Sequence, residues 1–238
     1  MLCYSQKEEI TLTQEDLINE ILDDNMKREK EDKVKKYKIL NKYAKKGQTV
    51  LSGSSLMEYF PVNELQQTLA KQTVIYNRGI AGYVTSELLS SLEECIFELE
   101  PAKLFINIGT NDISSADGEY DPARLLANYN EILTQIGVRL PECKVYVMAY
   151  YPVNAQADFA GMDQAAKESY FRTRTNAALL EANAEVEKLA AQHGYAFINV
   201  NEGLMDPEGN LKEEYTMDGV HMYANGYAVV LNNLQEYL

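Results

Sequence analysis

The chain is poor in cysteine and histidine and contains no long hydrophobic run. Its three cysteines, Cys3, Cys95 and Cys143, are far apart, odd in number and outside any C-x-x-C pattern, which indicates free thiols in a reducing compartment. No apolar stretch at the N-terminus could form the core of a signal peptide, and none further along is long enough to span a bilayer. These absences favour a cytoplasmic location without stable membrane association.

Basic residues are outnumbered by acidic ones. The chain has 22 Lys and Arg against 36 Asp and Glu, which gives a formal net charge of -14. Phosphate backbones and anionic membrane surfaces would repel most of such a molecule, so nucleic acid is not an expected partner. The 238 residues, 46% of them hydrophobic, are enough for one sizeable core, and we expect a single catalytic domain.

Residues 1–46 differ in composition from the rest and predict a helical extension ahead of a domain at 47–238. Thr13 can cap a helix in which four apolar residues fall at helical spacing, Leu17, Ile18, Ile21 and Leu22. This apolar face could pack on the domain or on another subunit, and the second case would make the protein a homo-oligomer. Residues 26–36 are mostly charged, which is typical of a solvated helix face.

Five short apolar runs alternate with longer helical patterns from residue 48 onward. The runs predict buried strands at 49–52, 73–76, 103–108, 144–149 and 196–200. The helical patterns lie at 61–70, 85–98, 122–139, 172–192 and 225–238. This alternation predicts an α/β fold with a parallel sheet covered on both faces, and an active site at the carboxyl ends of the strands.

Four segments carry residues that could do chemistry. GSSL at 53–56, NRGIAG at 77–82 and GTND at 109–112 each follow a predicted strand, and DGVH at 218–221 lies near the C-terminus. A serine between a strand and a helix can present its hydroxyl at the sheet edge while its backbone N–H faces a developing oxyanion. Glycine and serine are equally the ordinary residues of turns and helix caps.

A nucleophilic serine needs a neighbouring base, and only His193 and His221 are available. His193 lies where a helix ends before Gly194, which favours a cation at a helix C-terminus over catalysis. His221 follows Asp218 by three residues, so one turn can place the carboxylate against Nδ1 and leave Nε2 for a serine. The alternative for His221 is a surface histidine beside a capping aspartate.

Asn111 and Gly82 are candidates for holding an oxyanion. The Asn111 amide can donate a hydrogen bond without adding charge, and Gly109 before it permits close approach of the backbone to a ligand. Gly82, which has no side chain, can bring a backbone N–H against developing charge. An Asx turn at Asn111 and a tight turn at Gly82 are the structural alternatives.

The four segments, in this order, resemble the four diagnostic blocks of the GDSL/SGNH hydrolase family over about residues 49–227. The resemblance implies that Ser55 is the nucleophile and that His221 is its base, oriented by Asp218. It also implies an oxyanion hole formed by the backbone N–H groups of Ser55 and Gly82 and by the side chain of Asn111.

Two positions depart from the family pattern, whereas YPVN at 151–154 also looks like the family. Ser54 stands where the family has an aspartate that is not the triad acid, so its replacement should not abolish hydrolysis. Tyr83 stands where many relatives have aspartate. The charged extension lies outside the resemblance, and the sequence assigns it no catalytic part.

The resemblance implies a three-layer α/β/α sandwich with a five-stranded flavodoxin-like sheet, and ester hydrolysis through a serine acyl-enzyme without metal or cofactor. The acidic surface favours small soluble acyl or acetyl esters, including acetylated carbohydrate, over anionic lipid. The connection at 153–171 is long, and four of its side chains either line an acyl pocket or pack in the core, namely Phe159, Met162, Tyr170 and Phe171.

Two other functions fit the same sequence. One is an acyltransferase with the same triad, in which an alcohol rather than water captures the acyl-enzyme. The other is a doubly wound domain that binds a small ligand without catalysis, and the departure at Ser54 is compatible with it. No G-x-x-x-x-G-K-[ST] element is present, which argues against a phosphate-binding enzyme.

Overall fold

One parallel sheet determines where the candidate residues lie. In a computed structural model that describes residues 13–114, 120–158 and 161–238, five strands form a sheet in the order β2-β1-β3-β4-β5. Every neighbouring pair is parallel, which confirms the predicted sheet, and the order is that of flavodoxin-like folds. The strands are β1 (Thr49–Gly53), β2 (Ile75–Gly79), β3 (Lys103–Asn107), β4 (Lys144–Met148) and β5 (Ala196–Ile198).

Helices cover both faces of the sheet, as predicted for a three-layer sandwich. The central strands β1 and β3 are buried almost throughout, as a sheet between two helical layers requires. None of the helices in the described ranges is both long and apolar enough to cross a membrane. The helices are α1 (Gln14–Asn41), α2 (Ser55–Glu58), α3 (Val62–Leu65), α4 (Thr85–Ser90), α5 (Leu92–Cys95), α6 (Thr110–Ile113), α7 (Pro122–Arg139), α8 (Gln164–Tyr170), α9 (Asn176–Gln192) and α10 (Ala224–Leu234).

The strand register brings three motif loops side by side. Gly53, the last residue of β1, is paired with Gly79 of β2 and with Asn107 of β3. The loops that follow these strands therefore leave the sheet at the same level of its carboxyl edge, where open α/β folds bind their ligands.

Several boundaries differ from those that hydrophobic periodicity predicts. Strand β2 begins at Ile75 and continues through Gly79, so half of the NRGIAG segment lies in the strand rather than after it. The helix predicted at 85–98 is broken at Ser91, whose hydroxyl donates to the Glu87 carbonyl and so competes with regular helix bonding. The helix predicted at 61–70 is reduced to α3 and a 3₁₀ turn at Gln66–Thr68.

Capping explains where other helices begin and end. The predicted helix at 122–139 is confirmed, because Asp121 caps its first turn and Pro122 opens it. The helix predicted from 172 begins four residues later, because Thr175 is its N-cap. The C-terminal helix ends at Leu234 and continues as a 3₁₀ turn. Helix α8, inside the long connection at 153–171, was not predicted.

The two halves of α1 differ in how they contact the domain. A capping box confirms Thr13 as the N-cap. The apolar side chains of the first half are about half exposed and do not pack on the described domain, namely Leu17, Ile18, Ile21 and Leu22. The charged second half packs there instead: Lys30 and Lys33 form ion pairs with the domain, and Tyr37 is buried. Most of residues 26–36 are exposed, as expected for a solvated face, and only Lys30, Lys33 and Val34 are partly buried.

Candidate active site

Ser55, His221 and Asp218 form a continuous chain of hydrogen bonds. Nε2 of His221 lies 2.8 Å from Ser55 Oγ, and Nδ1 lies 2.5 Å from Asp218 Oδ2. The second carboxylate oxygen, Oδ1, accepts from the backbone N–H groups of His221 at 2.7 Å and Val220 at 2.9 Å. The carboxylate therefore fixes the ring with Nε2 towards the serine, an arrangement in which a histidine can take a serine proton.

Ser55 is held at the junction of β1 and α2, of which it is the first residue. The turn requires glycine at position 53, because a Cβ there would lie 2.0 Å from the carbonyl oxygen of Asn107. The close approach of the two strand ends directs the chain out of the sheet and presents the Ser55 side chain at the carboxyl edge.

A tight loop brings Asp218 against His221. Thr216 Oγ1 accepts from the Gly219 N–H at 2.8 Å and donates to the His221 carbonyl at 3.0 Å. Gly219 has a φ of +84°, and a Cβ would lie 2.4 Å from the Asn154 carbonyl oxygen, so only glycine suits this position. The Asn154 N–H donates to the Gly219 carbonyl at 2.7 Å, so the YPVN segment supports the loop that carries the base.

The electrostatics of Asp218 suit the role of an orienting carboxylate. Burial alone would raise its pKa. The hydrogen bonds and charge of His221 and the hydrogen bond from the Val220 N–H outweigh burial and hold the pKa below its ordinary value. An ionised carboxylate favours the His221 tautomer that carries its proton on Nδ1 and stabilises the ring when it becomes doubly protonated.

Three hydrogen-bond donors border the space in front of Ser55. Within the described ranges, neither the Ser55 N–H nor the Gly82 N–H has a hydrogen-bond acceptor. The third donor, Asn111 Nδ2, holds the Tyr83 carbonyl at 2.9 Å with one of its two hydrogens. Its Oδ1 accepts from Arg174 Nη2 at 2.6 Å, which fixes the orientation of the amide.

The loop that contains Gly82 is anchored by charged groups. Glu58 Oε2, on α2, accepts from the Ala81 N–H at 2.6 Å, and its other oxygen pairs with Lys33 of α1. Lys30 of α1 donates to the Gly82 carbonyl at 3.0 Å and to the Glu87 carboxylate at 2.8 Å. The Gly82 N–H belongs to the Ala81–Gly82 peptide group, and the groups on either side of it are both held. Lys30 of α1 binds one directly, and Lys33 of α1 pairs with Glu58, which binds the other.

The donors and the serine open into one cleft of about 860 Å³. The sheet edge forms one side of this cleft, and the charged half of α1 forms another. A cleft of this size is ample for a small ligand. No group of three His, Cys, Asp or Glu side chains in the described part of the chain could hold a metal ion.

The sequence as a whole agrees with this geometry. The pattern of the GDSL-like lipase/acylhydrolase family matches residues 51–229, about three quarters of the chain. The chain belongs to this family. It is accordingly a carboxylic ester hydrolase, and α1 precedes the matched region.

Individual members of the wider group share the same architecture. A Streptococcus pneumoniae protein named for platelet activating factor is 29% identical and superposes with a TM-score of 0.81, over 93% of this chain and 98% of its own. An acetyl xylan esterase, AlAXEase, is 16% identical with a TM-score of 0.62, over 80% of this chain and 99% of its own; at that identity it shows the shared fold alone.

One curated relative is an N-acylneuraminate cytidylyltransferase from Escherichia coli O18:K1:H7 (strain RS218 / NMEC). It is 26% identical over 197 residues, which are 82% of this chain and 41% of the relative. The chain therefore spans about two fifths of the length of that relative.

The rival candidates lie elsewhere in this hydrolase. His193 caps the end of α9, and its Nε2 is 2.9 Å from Asn130 Oδ1. Gly194 after it has a φ of +72°, as expected for a helix C-terminus. Asp112 accepts from the N–H and hydroxyl of Thr85 and does not contact His221. The other rival carboxylates, Asp158, Asp163 and Asp206, do not contact His221 either.

The two departures from the family pattern have different surroundings. The Ser54 hydroxyl is buried and has no hydrogen-bond partner in the described ranges, so this side chain adds no hydrogen bond to the nucleophile loop. Tyr83 is buried, and its backbone carbonyl holds Asn111. The backbone at Tyr83 thus contributes to the site even though the side chain differs from the common one.

The long connection after β4 contributes side chains both to the cleft and to the core. Tyr170 lines the cleft, whereas Phe171 is buried beside Gly219. Met162 is partly exposed, and Phe159 lies outside the described residues. Arg174, at the end of this connection, is in the cleft wall and was not predicted. No spacing rule indicates it, because its position depends on how the connection folds.

Proposed function

We propose that this family member is a serine esterase that cleaves small soluble acyl or acetyl esters through an acyl-enzyme on Ser55. One observation carries the proposal: the chain of hydrogen bonds from Ser55 Oγ through His221 to Asp218, at a cleft whose lining includes Ser55, Gly82 and Asn111.

In the first half of the reaction, His221 Nε2 takes the Ser55 proton as Oγ attacks the ester carbonyl. The C–O bond to the alcohol then breaks, and the same proton passes from Nε2 to the leaving alcohol. In the second half, water gives a proton to Nε2 as its oxygen attacks the acyl-enzyme. The bond from the acyl carbon to Ser55 Oγ then breaks, Nε2 returns the proton to Oγ, and the carboxylic acid leaves. Asp218 stays ionised throughout and stabilises the imidazolium.

The negative charge on the carbonyl oxygen develops only while the tetrahedral intermediate forms. The N–H groups of Ser55 and Gly82 and the free hydrogen of Asn111 Nδ2 stabilise it there. Because an ester carbonyl is a weaker acceptor than an oxyanion, these donors act mainly on the rate of the chemical step. Glu58 and Lys30 act as positioning residues, since they hold the Ala81–Gly82 peptide in place.

The names of two similar proteins support sugar esters as substrates to test first. One is an acetyl xylan esterase, and the other acts, by its name, on N-acylneuraminate, a sugar acid. The cleft carries several charged side chains on its wall, which suits an acylated sugar better than a long acyl chain. A cytoplasmic location is proposed from the free thiols of Cys95 and Cys143.

Pre-steady-state hydrolysis of 4-nitrophenyl acetate tests the proposal. We expect a burst of nitrophenol equal to the enzyme concentration from the unaltered protein and from Ser54→Ala, and none from Ser55→Ala. Absence of turnover and burst in the folded, unaltered protein would indicate a domain that only binds its ligand. Acetylated alcohol in place of acetate, when glycerol is added, would indicate an acyltransferase.

A further inference from the structure

Arg174 is a buried cation in the wall of the active-site cleft. Its side chain is 4% exposed and borders the same space as Ser55, Asn111 and His221. No carboxylate of the described residues lies within 4 Å of it, although the chain as a whole carries a net charge of -14. A guanidinium taken out of water without a counter-ion is costly, so its retention requires a reason.

The immediate neighbours of Arg174 do not neutralise it. Nη2 donates to the neutral amide oxygen of Asn111 at 2.6 Å. The guanidinium also interacts with the Tyr170 hydroxyl, and its carbon lies 5.6 Å from the ring centre of Tyr170. Burial raises the pKa of Tyr170, so this phenol stays uncharged. Nε is buried without a partner in the described ranges, and Asp218 acts only over a longer distance.

Arg78, the other buried arginine, provides a comparison within the same chain. Its Nε and Nη2 both donate to Asn41 Oδ1, at 2.9 and 2.8 Å, and Nη1 donates to the Asn77 carbonyl at 2.8 Å. All three nitrogens of Arg78 therefore have acceptors, as expected for a structural arginine. Arg174 differs both in its unpartnered Nε and in its place beside the nucleophile.

The remaining charges of the cleft balance one another. Positive residues on the wall are Lys30, Lys33, Lys36 and Arg174, and negative ones are Glu29, Asp32 and Glu58. Lys30 and Lys33 already pair with Glu87 and Glu58. Outside these pairs, Lys36 and Arg174 are balanced in number by Glu29 and Asp32, and of these four charges Arg174 is the one that contacts Asn111.

We propose that the ester cleaved by this enzyme carries an acidic group, a carboxylate or a phosphate, and that Arg174 binds it beside the scissile bond. This inference rests on the proposed esterase function. A guanidinium presents parallel N–H groups that match two oxygens of either group. An acetyl group contains no ionisable group. In an acetyl ester the acidic group therefore lies on the alcohol portion of the substrate, as in an O-acetylated sugar acid or sugar phosphate.

Matched esters test this inference. We would measure kcat/KM for methyl glucuronide and methyl glucoside acetylated at the same hydroxyl, and for glucose 6-phosphate acetylated there. The unaltered enzyme should prefer one or both anionic esters over the neutral one by about 10- to 100-fold, the contribution of a charge-assisted hydrogen bond. Comparison of the glucuronide with the sugar phosphate shows which acidic group the enzyme prefers.

Variants assign the preference to Arg174. Arg174→Met should reduce the ratio of anionic to neutral kcat/KM to near one. Arg174→Lys should leave an intermediate ratio, because lysine keeps the positive charge but lacks the parallel N–H groups of a guanidinium. Lys42→Met, which removes an exposed charge outside the cleft, is the control and should change the ratio less than about 2-fold.

Two results would overturn the inference while leaving the esterase intact. One is an unaltered enzyme that hydrolyses neutral and anionic esters equally well, a result that needs no variant to fold. The other is an Arg174→Met variant that loses activity towards all three esters by the same factor, which would mean that Arg174 acts only through Asn111. Failure of the unaltered enzyme to hydrolyse any ester, including 4-nitrophenyl acetate, would instead contradict the proposed function.

Discussion

The carboxyl edge of the sheet and helix α1 border the same cleft but reach it by different physical routes. At the edge, strand ends held in register bring together short motifs that are far apart in sequence. Helix α1 reaches the cleft through side-chain charge, since Lys30 and Lys33 pair with groups on the loops of the edge. The comparison teaches that the register of the strands places the reacting groups. Ion pairs, in contrast, attach a helix that lies outside the matched family region and forms one wall of the cleft.

The largest expected effect lies at the edge, where His221 acts as the base. His221→Ala should lower kcat by about 10³-fold or more, because no other group of the described residues can accept the Ser55 proton. His193→Ala, the matched control, should affect mainly the melting temperature. Steady-state kinetics with thermal melts measures both. Equal losses of kcat in two folded variants would remove the distinction between the histidines.

The pH profile sharpens the assignment at the edge. Because the pKa of Asp218 lies below its ordinary value, the carboxylate remains ionised as pH falls from neutrality, while the mechanism requires Nε2 of the base to be free of a proton. We therefore expect kcat/KM to fall towards acid with a slope that corresponds to one proton. A slope of two protons, or a profile that is flat down to pH 4, would contradict this order of protonation.

Asn111 is expected to have the next largest effect. Removal of one oxyanion donor costs about 10²–10³ in kcat in a comparable site, so Asn111→Ala should lower kcat by about that factor with little change in KM. Asn111→Asp should be at least as damaging, because a carboxylate repels the oxyanion. If Asn111 merely ends a strand, Asn111→Ala would lower the melting temperature and leave kcat nearly intact.

Sequence reasoning could find the edge because each of its parts obeys a local rule. Gly53, Gly82 and Asn111 lie at or just beyond strand ends, and parallel strands end at one edge. The three-residue spacing of Asp218 and His221 needs only one turn. The parallel sheet followed from the order of apolar runs, and its flavodoxin-like order from the family resemblance. Strand β2 was placed too early in the sequence, because its last residues are polar yet still paired.

The contribution of α1 could not be found in the same way. Charged residues at 26–36 indicate solvent on average, and their partners Glu58 and Glu87 are 25 and 57 residues away from Lys33 and Lys30. No periodicity encodes such pairs. Arg174 escaped notice for a related reason, since its place depends on the fold of a long connection that contains the unpredicted helix α8.

A smaller effect is expected where α1 meets the edge. Glu58→Ala should lower kcat about 10-fold with little change in KM, because the Ala81 N–H loses its acceptor and the Gly82 loop loosens. Glu58→Gln should recover most of this loss, since its amide oxygen can still accept. Lys35→Met, on the exposed side of α1, is the control and should be neutral. A kcat unchanged in Glu58→Ala would show that α1 only covers the cleft.

The smallest kinetic effect is expected from the apolar half of α1. The double variant Leu17→Ser and Ile21→Ser should leave kcat within about 2-fold, because both side chains are exposed away from the loop contacts. We expect it to convert a homo-oligomer into a monomer, as the half-exposed apolar face suits a second copy. Sedimentation velocity decides the matter. A monomeric unaltered protein, or an oligomer that the double variant leaves intact, would contradict this use of the face.

The most direct test of the account is to locate the nucleophile chemically. A fluorophosphonate should form one adduct per chain, and peptide mass spectrometry should place it on Ser55 in the unaltered protein and in Ser54→Ala. Ser55→Ala should remain unlabelled, and His221→Ala should label far more slowly, because the serine is then not activated. Labelling that persists in Ser55→Ala, or an adduct on Ser54, would contradict the account.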